Sequence, residues 1–475
     1  MTNKGLIILS EPHTALSGWY CAAFAAFTLK NSGVMVEHRM LKSTKSYALN
    51  RQPATLTLTA NVLLSLDRLG ISESVLRCNA SALTFLANRY KAWTHAEHDV
   101  EVGIAPSGLD FYGLNFCHYY SRYMSTQAAQ HGIGIEQFSL NSLCARQRKF
   151  DYPSKDTQSI LSTLEYGLQV NTTELVDLLE ESALYLGVVT SVAARRESTK
   201  SNEHWLFIDC TEADQTATPK TELPVDTWCN LTTEEYQALT SVNAADSQPF
   251  SPVLHACDCG VIRVQQTQTS SQLRFYSSKA VLAQCGKSAK IPKVSRWKPM
   301  SPARPFNWQV HNFEVKMQFD AVMALQVDLG LESLHTLLSL LFSLLPPNAD
   351  TDANPLADYF NREARARFKF SVDQLWLPFK LVQDKTSHFW TATQQVQISE
   401  ELAHLIELFG ASGCLPSYEH YPAKLPDWIN LFLAFDYVPK AYDPLTLNMS
   451  DEQLFASLQQ LKNQFAATVQ QLPSV

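Results

Sequence analysis

The sequence predicts a mixed α/β protein, with an α/β body over residues 1–330 and a helical C-terminal subdomain over 331–475. Three observations predict it. The chain opens on an apolar run, a short turn, an apolar helix and a second apolar run, the pattern of a βαβ unit. Strand-like and helical stretches then continue to alternate, which is the mark of a layered α/β or α+β body. From about Asp320 onward helical periodicity dominates, at 331–345, 354–370, 398–410 and 450–470.

In order, residues 6–9 (Leu6, Ile7, Ile8, Leu9) read as a buried strand, and a helix is expected from about Gly18 to Lys30. Gly33 introduces a second strand, "VMVEH" at 34–38, with Glu37 at its end. "TLTANVLLSLDRLG" (57–70) repeats leucines at helical spacing and stops on glycine. "TTELVDLLEESALYLG" (172–187) is an amphipathic helix with a Thr cap and a Gly stop, followed by the strands "VVTSVAARR" and "EHWLFIDCT". Residues 212–250 are polar and read as a long excursion, and strands return around 261–281.

The bulk numbers narrow the function. With 45% hydrophobic and 18% charged residues the chain can bury a core, and its net charge of −8 gives no general attraction to nucleic acid or anionic membrane. The basic stretch from Lys287 to Arg304 reads as a solvated loop, with a phosphate-binding patch as the alternative. The 10 cysteines are scattered, so no disulfide scaffold is expected. The tight pair Cys257 and Cys259 has no second pair at metal spacing, so half-buried thiols are the plainer reading and no metal site is expected. The opening "MTNKGLIILSEPH" lacks the pattern of a signal peptide, and the apolar stretch 334–347 is too short to span a bilayer. A soluble cytoplasmic protein is the expectation. No Ser-His-Asp pattern, GxSxG elbow, P-loop or HExxH occurs. The aromatic segments at 110–124 read as core, or as the lining of an apolar pocket.

The order of the landmarks resembles the flavin-dependent tryptophan halogenase family over almost the whole chain. "HWLFIDCT" (204–211) is similar to that family's "ADLFIDCSG" strand, and "ESLHTLLSLL" (332–341) to its "EPLESTSIHLI" segment. "SHFW" (387–390), "ISEELAHLIELFGASG" (398–413) and "WINLFLAFDYVPKAYDPL" (428–445) follow in the same order. The resemblance implies an FAD/NAD(P)-binding, Rossmann-like body of the flavin monooxygenase type, FAD as cofactor, and a helical C-terminal part.

The family's chemical residues are mostly replaced. Aligned on Gly18 and Trp19, the three glycines of the GxGxxG phosphate loop become His13, Ala15 and Gly18. The first two glycines make the tight turn and let the backbone approach the pyrophosphate, and side chains there obstruct it. Glu37 falls about where an acid would bind the adenosine ribose, although a solvated strand-end acid is equally ordinary. The "GVGEAT" strap becomes "NRQPAT", keeping only Ala54 and Thr55, and the "GWxWxIP" motif becomes "GVIRVQQ" from Gly260, with no tryptophan. The lysine that captures hypohalous acid, placed eight residues before a tryptophan in a "TFKLGIRFxNW"-like strand, is Phe85 in "LTFLANRYKAW" (83–93); Lys91 lies two residues before Trp93 and is expected on a different part of the sheet. The catalytic glutamate of "LEST" aligns with Gly330; Glu332 is a displaced acid or an exposed first-turn glutamate favoured by the helix dipole. His335 keeps the position of the family's histidine and reads as a satisfied structural residue.

So many departures together predict a non-catalytic relative that keeps the scaffold, binds no FAD tightly and serves as a binding or partner subunit. The resemblance suggests a homodimer or a pair with an active homologue. The competing reading is an FAD-dependent halogenase or monooxygenase of an aromatic, indole-type substrate with a rebuilt cofactor loop, served by a flavin reductase. Gly18, Trp19, Glu37, Ala54 and Thr55 would then be its residual cofactor contacts.

Overall fold

A computed structural model describes the chain apart from residues 1–4, 43–53, 94–98, 127–133, 194–205, 212–222, 242–249, 270, 286–290, 301–304, 310–313, 317–326, 346–353, 383–386, 414, 416–424 and 475. The opening strand is Gly5–Ser10, buried along its whole length, and the helix Ala15–Leu29 crosses from it to the strand Met35–Leu41. The two strands pair in parallel, and Leu206–Asp209 pairs in parallel with the other edge of the first. Beyond these lie Val189–Ala193 on one side and Glu314–Lys316 with Asn307–Gln309 on the other, completing a six-stranded sheet. The first strand therefore sits where the strand order reverses, the point at which such sheets open a crevice at their carboxyl ends.

A second, seven-stranded sheet carries the hairpin Val253–Cys257 and Gly260–Gln266, the strand Ser271–Ser277 and, at one edge, Ala87–Lys91 and Val100–Gly103. A small three-stranded sheet sets Gly167–Asn171 antiparallel between Thr55–Leu58 and Leu83–Phe85. Here one sequence expectation fails. Residues 57–70 are not one helix: Thr55–Leu58 is a strand, Thr59 is the cap, and the helix is Ala60–Arg68. The β-branched threonines alternate with leucines, and pairing with a strand over a hundred residues away overrides the helical leucine spacing.

The polar excursion 212–250 is also less irregular than expected. Thr227–Asn230 joins the seven-stranded sheet, and Thr232 starts the helix Thr233–Thr240 with a capping box closed by Glu235. Within the basic stretch, Lys298–Pro299 forms an edge strand paired with Thr227 and Trp228.

The C-terminal helices are Val327–Leu344, Asn354–Leu381, His388–Gln395, Glu400–Ser412, Leu425–Ala434 and Asp451–Gln471. The long helix Asn354–Leu381 links two cores. Ala357, Phe360 and Ala364 pack with the first helix and its sheet, whereas Phe370, Trp376 and Phe379 pack with Trp93, Trp390 and the last helices. Phe116, Tyr119, Tyr120 and Tyr123 from the aromatic segment belong to this second core, while Tyr112 is exposed.

Candidate functional site

The loop after the first strand is the place to look for a phosphate cradle. Such a loop works by presenting free backbone N–H groups to an anion at a helix N-terminus. In this chain Pro12 has no N–H, the Glu11 N–H donates to Thr14 Oγ1 at 2.9 Å, and the Thr14 N–H donates to the Glu11 carbonyl at 2.9 Å. Pro12–Thr14 forms a 3-10 turn that runs directly into the helix, an entry that a proline with fixed φ favours. Glu11 brings an acidic side chain to the same helix end, where a phosphate would meet a like charge. Ala15 and Leu16 are buried, and the side chain of His13 lies outside the described residues.

Beneath the loop the packing is tight. A Cβ on Gly18 would lie 2.6 Å from both Cβ and Oγ of Ser10 and 2.8 Å from Nε2 of His38. Gly18 thus lets the helix settle on the sheet, which is the third glycine's role in the family motif. Ser10 Oγ and His38 Nε2 form a buried hydrogen bond of 2.8 Å, and the Trp19 ring meets the His38 ring edge-on at 4.0 Å. Burial pushes the His38 pKa down to about 4, so the ring is neutral. Sequence pattern does not mark His38, because nothing local in "VMVEH" shows that the helix crosses above it.

Glu37 is not at a strand end. The strand continues to Leu41, and the register sets Glu37 opposite Ile7 while Ser10, at the crevice, faces Met40. Three residues of strand, about 10 Å, separate Glu37 from the crevice level. Its carboxylate accepts from Arg39 Nε at 2.8 Å, from the second guanidinium nitrogen at 2.9 Å, and from Ser191 Oγ at 2.8 Å. At the crevice itself stands Asp209, paired with Leu9 and accepting from the Thr211 N–H and hydroxyl at 2.9 and 2.6 Å. In the sequence Asp209 stands out only as part of the "HWLFIDCT" strand.

Ala54 is exposed and Thr55 buried at the start of the small sheet; the Ala54 N–H donates to Gln272 Oε1 at 3.1 Å. Thr55, Thr57, Gln169 and Phe85 fall on one face of that sheet by their register. Among the described residues, the buried hydroxyls of Thr55 and Thr57 have no hydrogen-bond partner. Phe85, at the family's lysine position, is 2% exposed. Lys91 belongs to a different sheet, opposite His255, and its Nζ lies 3.7 Å from Asp99. Trp93 is fully buried and donates from Nε1 to the Leu254 carbonyl at 2.8 Å. The face that would offer an amine therefore offers an aromatic ring, hydroxyls and an amide.

At the family's tryptophan motif, Gly260 is required by close approach, since a Cβ there would lie 2.1 Å from the Tyr276 carbonyl oxygen. Counting along "GWxWxIP", the second tryptophan position is Arg263. It is buried and stands directly opposite Arg274, whose guanidinium lies 4.2 Å over the Trp228 ring. Val261 and Arg263 thus stand where the motif has its two tryptophans, both of them buried.

Gly330 lies within the helix Val327–Leu344. That helix starts earlier than expected, so Glu332 sits in its second turn rather than its first, half-buried, and accepts from Asn61 Nδ2 at 2.8 Å. His335 is half-buried, with Nδ1 3.0 Å from the Tyr20 hydroxyl, which donates to Ser65 at 3.1 Å. Burial first, then the Arg68 charge, lowers its pKa. Both residues serve contacts between helices.

The hairpin turn that carries Cys257 and Cys259 leaves both as free thiols, and burial pushes Cys257 up to about 12. Among the described residues no cluster of three or more His, Cys, Asp and Glu is placed to hold a metal ion. Among the same residues no helix is long and apolar enough to cross a membrane.

No curated protein sequence matches the chain. In solved structures the same fold recurs from end to end. BrvH, a flavin-dependent halogenase from Brevundimonas sp. BAL3, superimposes with a TM-score of 0.80 at 19% identity, over 99% of this chain and 97% of that one. A flavin-dependent halogenase from Xanthomonas campestris gives 0.80 at 15% identity, over 100% and 97%. A tryptophan halogenase from Shewanella frigidimarina gives 0.71 at 16% identity, over 100% and 96%. These likenesses establish the mixed α/β, FAD-binding Rossmann-like fold. The tryptophan halogenase family profile matches residues 16–230 and 328–451, most of the length, and so this chain belongs to the tryptophan halogenase family.

Proposed function

We propose that this chain is a tryptophan-halogenase-like protein that has lost the family's reaction, holds no FAD tightly, and acts as a binding or partner subunit. The observation that carries the reading is the loop at residues 11–14. Pro12 has no N–H and those of Glu11 and Thr14 are spent inside the turn, which supports a loop poorly suited to a pyrophosphate. Phe85 supports the reading from the other side of the reaction. A buried phenyl ring can neither form a haloamine nor donate a hydrogen bond to hypohalite. Glu37, tied to Arg39 and Ser191 in mid-strand, is not placed to take a ribose hydroxyl at the crevice.

Neither the loop nor the reacting position offers the groups the reaction needs, so no chemical step is assigned. What the chain keeps is a folded scaffold, and its partner is proposed to be a second copy or an active relative. The test is a visible spectrum of the purified full-length protein, followed by a flavin titration. A colourless protein with no saturable FAD binding is the expected result. Stoichiometric yellow flavin, or halide-dependent product when a flavin reductase is supplied, overturns the proposal. Either outcome returns the chain to the FAD-dependent halogenases and monooxygenases of aromatic substrates.

A further inference from the structure

A separate feature lies on the helical C-terminal part, between the end of the helix Phe116–Ser125 and the start of Asp451–Gln471. A cleft of about 620 Å³ opens there, in the size range of small-molecule sites. One wall is apolar and aromatic: Tyr123, Leu447, Leu454 and Phe455 line it, with the Tyr123 and Phe455 rings near parallel and 6.4 Å apart between centroids. Phe455 and Leu447 are partly open to solvent, at 37% and 62% exposure. Ser125, Thr126 and Tyr442 add polar groups, and among the described residues the charged groups that line the cleft are Arg122 and Asp451.

Their roles differ. Arg122 is buried, and its two terminal nitrogens donate to the Thr446 carbonyl and to Asp451 Oδ1. Its charge is therefore committed to the wall. Asp451 is held through that one oxygen, yet its side chain keeps 65% of its surface exposed. The end of the cleft formed by the last helix does not suit an anion. Ser450 and Gln453 close a capping box that occupies the N–H groups of both residues, and Asp451 and Glu452 put two acids in the first turn. A cleft with one aromatic wall and a fixed, accessible carboxylate suits a ligand with a ring or alkyl body and one positive charge.

We propose that this cleft is a binding site for a primary arylalkylamine, with the ring lodged among Leu447, Leu454 and Phe455 and the ammonium donating to Asp451. The site is independent of the cofactor crevice, and its occupancy does not depend on whether flavin binds. Asp451 makes the discrimination, because an ammonium adds a charge-assisted hydrogen bond to a carboxylate that Arg122 holds through one oxygen only, and a neutral analogue does not.

Ligand-observed NMR titration of the full-length protein tests this, with 2-phenylethylamine as the probe and 2-phenylethanol as its neutral counterpart. The expected result is saturable binding of the amine with a Kd of about 1 mM and binding of the alcohol about tenfold weaker. Asp451→Asn keeps an acceptor for Arg122 and should bring the amine down to the level of the alcohol. Phe455→Ala, at a partly exposed position, should weaken both ligands. No saturable binding of the amine at several millimolar, equal affinity for the alcohol, or unchanged amine binding in either variant overturns the proposal.

Discussion

The floor and the mouth of the nucleotide-type crevice differ in kind. The floor keeps what the family motif demands, with Gly18 against Ser10 and His38, and Trp19 against the same histidine. The mouth, at residues 11–15, keeps neither of the motif's first two glycines, and the N–H groups of Glu11 and Thr14 are bonded inside the turn. The floor residues are constrained by close packing, which every folded copy needs regardless of ligand. The mouth residues answer to an anion first, so they are the ones free to change in a relative that binds none. Ancestry is thus written in the floor and present chemistry in the mouth.

The comparison breaks most severely at the reacting position. Phe85→Lys restores the family's residue type, but into a buried position shaped for a ring. An unpaired ammonium there should cost about 3–5 kcal/mol of stability, read as a lower midpoint in urea denaturation. It should bring no halogenating activity, since the loop is unchanged. A stable Phe85→Lys protein that chlorinates an indole in the presence of FAD and a reductase would show that the mouth had not been lost.

The floor makes its own prediction through pH. The folded pKa of His38 is depressed to about 4 from an unfolded value of 6.5. A depressed value means that the stabilisation is fully present above pH 6.5 and is lost as pH falls through about 4. The two values set its size on the order of 3 kcal/mol. His38→Gln should flatten that part of the acid limb of stability against pH; an unchanged slope would mean that the ring is hydrated. Gly18→Ala comes next, at about 2 kcal/mol, because the new Cβ overlaps a strand atom that cannot move aside, although alanine's helix propensity returns part of the cost. Adding Ser10→Gly should recover stability, and a double variant no better than the single one would place the clash elsewhere.

Much of this was legible in the sequence, and the limits have physical causes. The opening strand–turn–helix–strand can be read because its period and punctuation are local. Phe85 can be read because a fixed spacing to Trp93 carries it. The helix expected from residue 57 takes in the end of the strand Thr55–Leu58, because four residues carry too little periodicity to outweigh the leucines that follow, and the partner strand, Gly167–Asn171, is remote in sequence. The position of Glu37 depended on how far the strand runs past it, the least predictable property of an element. His38 and the pairing of Arg263 with Arg274 are products of a crossing and a register, and neither leaves a local signal.

The smallest expected effect concerns the mouth itself. His13→Gly with Ala15→Gly restores two motif glycines, and the pair should cost at most about 1–2 kcal/mol, the price of glycine's extra freedom at a helix start. Flavin should still fail to bind. Pro12 continues to lack an N–H, and the Glu11–Thr14 hydrogen bonds remain, so the cradle stays closed even without the side chains. A flavin titration on this variant separates two causes that the sequence alone merges, obstruction by side chains and the withdrawal of N–H donors at residues 11, 12 and 14. If two glycines alone brought back saturable flavin, obstruction would be the whole cause and the mouth would be one short step from its ancestor. If binding returns only after Glu11 and Pro12 are also replaced, the loss lies in the backbone, and the loop has become a structural cap for the helix.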